Sequence, residues 1–403
     1  SGTLVGSEMC IRYMSNMNKK ELELYIHIPF CVRKCSYCDF LSAPATEQTR
    51  EAYMAALFAE IGGRAKDYSD RTVTSIFIGG GTPSLLSGEQ IGQLMDRIRE
   101  QFAMAQDAEI TMEVNPGTVS AEKLRNFYTA GINRLSIGMQ SAQAEELKNL
   151  GRIHDFEGFC QVYREAVEAG FTNINVDIMS GLPGQTLASY RDTLEKVLHL
   201  EPMPQHISAY SLIVEQGTPF AAMAERGELP LPEEETERAM YEETIEVLAK
   251  YGFHRYEISN YARDGYECRH NVGYWIRRDY LGFGIGAASL IDNVRFQNEK
   301  SLGAYLAHPL ESREEEQTLT VQERMEETMF LGLRLTRGVS CVDFVEQYGR
   351  TVEEVYGEVI ARNVADGLLT VTERKENQKK DRFLALTKRG LDLSNYVMAQ
   401  FLF

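Results

Sequence analysis

Apolar positions along the chain recur with two periods. Residues 22–28 alternate and are rich in apolar side chains, which predicts a buried first strand, and Pro29 ends it by removing a ladder donor. Residues 49–66 instead place Tyr53, Leu57, Phe58 and Ile61 on one helical face. The two patterns then take turns. Strands are predicted over 73–78, 109–114, 134–139, 173–178 and 206–212, with helices over 91–102, 124–130, 159–169 and 187–200. Strict strand–helix alternation predicts an α/β fold with a parallel sheet and helices outside it. A closed barrel needs eight such units. Six strands predict a partial (β/α)6 TIM-like barrel, with ligands gathering beyond the carboxyl ends of the strands.

From residue 215 to about 308 the pattern loosens into one good helix, 236–251, and short aromatic-rich segments. A new unit begins near 321, with helices over 323–334, 342–348 and 352–366. A hairpin of 368–372 and 382–386 surrounds a polar loop, and a last helix follows Thr387. Helices followed by a two-stranded wing predict a C-terminal winged-helix-like α+β domain. The organisation read from the chain is an irregular arm (1–20), the partial barrel (21–214), a barrel extension (215–320) and the C-terminal domain (321–403).

Composition changes this picture little. At 43% hydrophobic and 25% charged residues the chain is ordinary for a globular protein, and no apolar run is long enough to span a membrane. The net charge of −17 argues against general nucleic-acid binding, which needs clustered Lys and Arg, so the wing is read as a packing or partner-docking element. Seven irregularly spaced cysteines argue against a disulfide framework and for a reducing, cytoplasmic setting without a secretory signal.

Three of those cysteines fall together as Cys31-Val-Arg-Lys-Cys35-Ser-Tyr-Cys38, a C-x3-C-x2-C spacing directly after the first strand. Three thiolates this close can wrap one soft metal centre. The spacing leaves two readings open: a [4Fe-4S] cluster with one iron free, or a zinc site with a distant fourth ligand. Gly79-Gly80-Gly81-Thr82-Pro83 ends the second strand, where bare backbone allows a close approach or simply a tight turn. Glu113, Gln140, Arg152 and Asp177 belong to later strand ends. Singly each reads as a surface or salt-bridged residue. Together they offer a guanidinium for a carboxylate and acceptors for hydroxyls.

The cysteine motif with its aromatic residue resembles that of the radical SAM superfamily. The resemblance implies a [4Fe-4S] cluster on Cys31, Cys35 and Cys38 whose open iron chelates S-adenosylmethionine (SAM), which one electron then cleaves to a 5′-deoxyadenosyl radical. Tyr25-Ile-His-Ile-Pro-Phe-Cys31, Ile78-Gly-Gly-Gly-Thr-Pro-Ser84, Glu113, Ser136-Ile-Gly-Met-Gln-Ser141 and Asp177-Ile-Met-Ser-Gly-Leu-Pro-Gly184 are similar to the oxygen-independent coproporphyrinogen III oxidase group. That likeness implies SAM contacts from Tyr25, Gly80, Gly81, Thr82, Glu113, Gln140, Arg152 and Asp177. Two departures separate the chain from the oxidase itself: Phe40 stands where the oxidase has a fourth cysteine, and the segment before the first strand is short.

The HemW-type haem chaperones share both departures and carry an H-N-x-x-Y-W motif, here His270-Asn-Val-Gly-Tyr274-Trp275. This resemblance implies a protein that binds haem and SAM, passes haem to acceptor proteins, forms a homodimer and lacks oxidase activity. His270 is then expected as a haem ligand with Tyr274 and Trp275 beside the porphyrin. A buried, hydrogen-bonded histidine is the plain alternative, and Cys268 competes as a ligand. The oxidase, a haem-degrading methyltransferase-type relative and a DNA-binding regulator are the rival readings. Cys10, Cys160 and Cys341 are read as structural.

Overall fold

The protein is described by a computed structural model over residues 20–311, 313–376 and 379–402. The N-terminal arm and Cys10 lie outside these residues, Lys20 excepted. The chain begins with β1 (Lys20–Ile28), α1 (Glu47–Arg64), β2 (Arg71–Gly80), α2 (Gly88–Gln101), β3 (Ala103–Val114) and α3 (Ala121–Thr129). It continues with β4 (Arg134–Gln140), α4 (Ala144–Leu150), α5 (Phe156–Ala169), β5 (Ile174–Ser180), α6 (Leu187–Leu198) and β6 (His206–Ser211). Neighbouring strands from β1 to β6 pair in parallel, as the alternation predicts. Polar caps start the outer helices: Ser87 and Gln90 form a reciprocal capping box on α2, and Thr186 and Ser189 do the same on α6.

Strand alternation sorts the side chains. Leu24, Ile26 and Ile28 of β1, Ile76 and Ile78 of β2, Met112 of β3, Leu135 and Ile137 of β4, and Val176 and Ile178 of β5 turn outward into the helix-packed core. The intervening positions turn inward and are largely polar: Glu23, Ser75, Glu109, Arg134, Asn175 and His206 low in the barrel, Glu113, Gln140 and Asp177 nearer its carboxyl-terminal mouth. Parallel strands usually read as continuous apolar runs because both faces are dry. Here the inner face lines a site, so the alternation survives.

The loosened stretch, 215–320, is more ordered than its pattern predicts. It holds α7 (Pro219–Glu225), α8 (Glu234–Lys250), β7 (His254–Arg255), β8 (Asn260–Ala262), α9 (Arg269–Trp275), β9 (Tyr280–Phe283), β10 (Ala288–Ile291), β11 (Val294–Asn298), α10 (Leu302–Ala307) and β12 (Arg313–Thr318). β9 adds in parallel to β1, and β8 adds antiparallel to β6, so the segment extends both edges of one twelve-stranded sheet. Strands of two to six residues are too short to establish a period, which is why the sequence shows only scattered aromatics.

The C-terminal part has its own core, including Met329, Leu333, Phe344, Tyr356, Leu384 and Phe401. It comprises α11 (Val321–Gly332), β13 (Val339–Ser340), α12 (Cys341–Tyr348), α13 (Val352–Ala365), β14 (Leu369–Glu376), β15 (Lys379–Leu386), α14 (Lys388–Asp392) and α15 (Ser394–Ala399). The wing has three strands, β13-β15-β14, one more than the predicted hairpin, and its strands run farther into the polar loop.

Candidate functional site

Cys31, Cys35 and Cys38 sit on the loop that leaves β1. The loop is tied down at both ends and in its middle. Cys31 N donates to Ala43 O at 3.1 Å, Ser36 N to Leu150 O at 3.0 Å, and Phe220 N to Ser36 O at 3.0 Å. Arg33 Nη2 donates to Gly151 O at 2.6 Å. Gly151, at φ +77°, closes α4 in the left-handed conformation and so supplies that dock. The sequence reading passed over α4. Its signal was present in Glu145-Glu146-Leu147-Lys148 followed by Gly151, a helix-forming run with a glycine stop.

The three sulfurs face a cavity of about 300 Å³ at the carboxyl-terminal mouth of the barrel. Burial pushes the Cys38 thiol up, and the nearby Cys35 and Cys31 push it the same way. Thr82 Oγ1 donates to Cys31 Sγ at 3.5 Å, and Arg152 Nη1 to Cys35 Sγ at 3.8 Å. Among the described residues no three His, Cys, Asp or Glu side chains already converge as a metal-ligating group. The donor set still fits a soft cluster: three unpaired, half-buried thiols on one loop, with no fourth thiol among the cavity-lining residues.

Seven of the eight residues expected to hold SAM line this same cavity: Gly80, Gly81, Thr82, Glu113, Gln140, Arg152 and Asp177. A Cβ on Gly81 would lie 2.7 Å from Phe30 O, so only glycine fits there. Glu113 accepts from Gly80 N at 3.1 Å, and burial, with Asp177 close by, pushes its carboxyl up to about 8. Asp177 accepts from Asn175 Nδ2 at 2.7 Å and from Ser136 Oγ at 3.3 Å. Arg152 donates from Nη2 to Gly138 O at 2.7 Å, while its buried Nε has no partner. Tyr210, which the sequence reading did not single out, donates to Gln140 Oε1 at 2.9 Å from β6, two strands along. Tyr37, also unforeseen beyond its place in the motif, lines the cavity too.

Tyr25 is the exception. It does not line the first cavity; beside Phe77, it lines a second cavity of about 540 Å³. Its hydroxyl donates to His27 Nδ1 at 3.0 Å, with His27 Nε2 donating to Leu41 O at 2.9 Å. Tyr274, Trp275, Tyr280, Leu290, Arg295 and Leu331 form much of the remaining wall. Phe40, Gly80 and Glu113 line both cavities, so the two adjoin. Phe40 is 59% exposed there.

His270, unlike Tyr274 and Trp275, does not line the second cavity. Helix α9 lacks a cap of its own, and the Glu109 carboxylate of β3 supplies one, accepting from Arg269 N and His270 N at 3.2 Å each. This docking drives His270 into the barrel floor at 1% exposure, where its Nδ1 lies 2.8 Å from Ser75 Oγ and its Nε2 3.0 Å from the Tyr274 hydroxyl. Both ring nitrogens are therefore engaged. Burial, with Arg134 and Arg278 adding to it, lowers its pKa to about 3, so the ring is neutral. The geometry matches the plain alternative, a buried histidine that holds Tyr274 one turn along. Cys268 is no better placed as a ligand: it is fully buried, its Sγ donates to Glu109 Oε1 at 3.6 Å, and burial pushes its thiol up to about 12.

A parallel barrel whose mouth carries three cysteines on the β1 loop and a glycine turn on β2 is the arrangement of one class of proteins, and residues 25–197 match the radical SAM superfamily. Residues 319–393 match the HemN C-terminal domain. The chain is 38% identical to the heme chaperone HemW of Bacillus subtilis over 94% of its own length and 98% of that protein's. It is 37% identical to the heme chaperone HemW of Escherichia coli, over 87% and 92% of the two chains. The structure of coproporphyrinogen III oxidase (HemN) from Escherichia coli superposes with a TM-score of 0.81 at 27% identity, covering 98% of this chain and 93% of that one. The chain belongs to the HemW family of the radical SAM superfamily.

Proposed function

We propose that the protein is a haem chaperone that binds a [4Fe-4S] cluster, SAM and haem and delivers the haem to acceptor proteins. The observation that carries this reading is the pair of adjoining cavities, one lined by the cysteine loop and one by the aromatic residues of the H-N-x-x-Y-W motif.

In this reading Cys31, Cys35 and Cys38 hold the cluster. When bound, it supplies one electron and an open coordination position for SAM. Arg152, which lines the cavity, is the cation for the SAM carboxylate. Gly80, Gly81 and Thr82 bring backbone close to the amino group, and Glu113, Gln140 and Asp177 offer acceptors to the ribose. Tyr210 fixes the Gln140 amide so that its orientation does not depend on the ligand. Haem is cargo in the second cavity, beside Tyr274 and Trp275.

The coproporphyrinogen oxidase reading is disfavoured by Phe40, which puts an exposed phenyl group where that enzyme has its fourth cysteine. We further propose a cytoplasmic homodimer. Unpaired thiols at every described cysteine suit a reducing compartment. Among the described residues no helix is long and apolar enough to cross a membrane.

The test is anaerobic cluster reconstitution followed by titration with SAM and haem, and product analysis of both. Binding of both with haem recovered intact, and no decarboxylation of coproporphyrinogen III, is the expected result. Vinyl products would move the protein to the oxidase, and consumed haem to a degrading enzyme.

A further inference from the structure

We propose that the haem cargo lies in the second cavity with one propionate paired to Arg295 at its rim. This rests on the chaperone reading and adds to it a place and a basis for selectivity. At about 540 Å³ the cavity falls within the roughly 300–1,000 Å³ that cofactor-sized ligands occupy. Its walls are flat and apolar on several sides. Tyr274 and Tyr280 pack edge to face at 4.7 Å, and Trp275 is held from behind by the Arg334 guanidinium 4.3 Å over its ring. Leu290 and Leu331 close the wall from β10 and α11. A planar ring with an apolar edge suits such surfaces.

Arg295 is the single Lys or Arg among the residues lining this cavity. Its Nη2 lies 2.6 Å from Glu327 Oε1, but the other oxygen of that carboxylate accepts from Arg277 Nε at 2.8 Å. One carboxylate is thus shared between two guanidiniums, and Glu323 adds only a weaker attraction, so Arg295 has no carboxylate to itself. Glu113, the cavity's own acid, is kept largely protonated below about pH 8 by burial and the neighbouring Asp177. The Arg295 side chain is 40% exposed, which places it where a propionate meets solvent rather than on the floor. On a chain of net charge −17, a ligand carrying two carboxylates needs such a local cation.

The experiment titrates the full-length protein with ferric haem and with its dimethyl ester, whose propionates carry no charge. Wild type is expected to prefer free haem by about tenfold or more, the scale of one charge-assisted contact. Arg295→Met should bring the two ligands to within about twofold of each other, and Arg295→Lys should fall between. Ala288→Trp, which leaves the arginine in place but fills the cavity, should weaken both ligands by about tenfold or more. Cluster content and SAM affinity should hold in all three. Unchanged discrimination in Arg295→Met, or wild-type affinity for both ligands in a folded Ala288→Trp protein, overturns this assignment and leaves the chaperone reading standing. A wild-type protein that binds neither ligand overturns both.

Discussion

Glu113 accepts the Gly80 amide at 3.1 Å, and both residues line both cavities. The carboxyl is raised from 4.5 to about 8 by burial, then by Asp177. Between those values the folded protein holds a proton that the unfolded chain has lost. The stability this contributes is complete below pH 4.5 and is lost as pH rises through 8. Glu113→Gln cannot ionise. In cluster-free protein its urea midpoint should gain on wild type steadily from pH 5 to 8 and level off above. A gap that does not change with pH would refute the assignment. Glu23, also raised to about 8 by burial, is present in both proteins and cancels.

The shared residues also couple the two ligands. With haem against Phe40 and Glu113, haem saturation should change SAM affinity, and SAM must then change haem affinity by the same factor. A coupling of roughly 1–3 kcal/mol is the ordinary range. Phe40→Ala should reduce it. Two titrations, each with and without the other ligand, measure it, and equal affinities throughout would show the sites to be independent.

Cluster content should depend on three thiols alone. Cys31→Ala, Cys35→Ala and Cys38→Ala should each abolish the brown chromophore and the low-temperature spin signal of the reduced protein. Cys268→Ala should retain both, because that thiol is fully buried and donates to Glu109 Oε1 at 3.6 Å. Loss of the chromophore in Cys268→Ala would move the cluster to the wrong end of the barrel.

Arg152→Ala and Asp177→Ala should weaken SAM binding by about one to two decades, the worth of one charge-assisted contact, with iron content intact. Calorimetric titration of reconstituted protein gives the answer, and wild-type affinity in both variants would empty the site of these residues.

His270→Ala should behave as a structural lesion. It removes the partner of Ser75 and of Tyr274 and opens a hole in the barrel floor. A loss of roughly 2–4 kcal/mol of folding stability follows. Haem added to the folded variant should keep the wild-type Soret maximum. A shifted maximum would restore the ring as an iron ligand.

The six parallel strands were legible because each alternates over six or more residues, enough to establish a period, and because cysteine and glycine motifs at strand ends carry their meaning locally. The edge strands were not, since His254–Arg255 or Asn260–Ala262 cannot repeat a pattern. The surroundings of His270 were not legible for a different reason. What decides its role is Ser75 on one side and the Glu109 cap on the other, both distant in sequence. The motif shows that His270 and Tyr274 are one helical turn apart, but not which of them faces the cavity. Tyr25 illustrates the same limit. Alternation says that it points inward, but not at which depth.

β1, the strand that delivers the cysteine loop, is flanked by neighbours made at very different times. Tyr25 pairs with Phe77 on one side and with Gly282 on the other. On a ribosome the first partner emerges early, whereas the second arrives only after the whole barrel core has been synthesised. Until then β1 is an edge, with its outer amides and carbonyls unpaired and open to another chain. Closing that edge spans a long loop, so it is a slow, late event. The cysteine loop thus hangs from a strand whose outer side is completed only when β9 docks, although the loop's own ties, to Ala43, Leu150, Gly151 and Phe220, are all made by earlier parts of the chain.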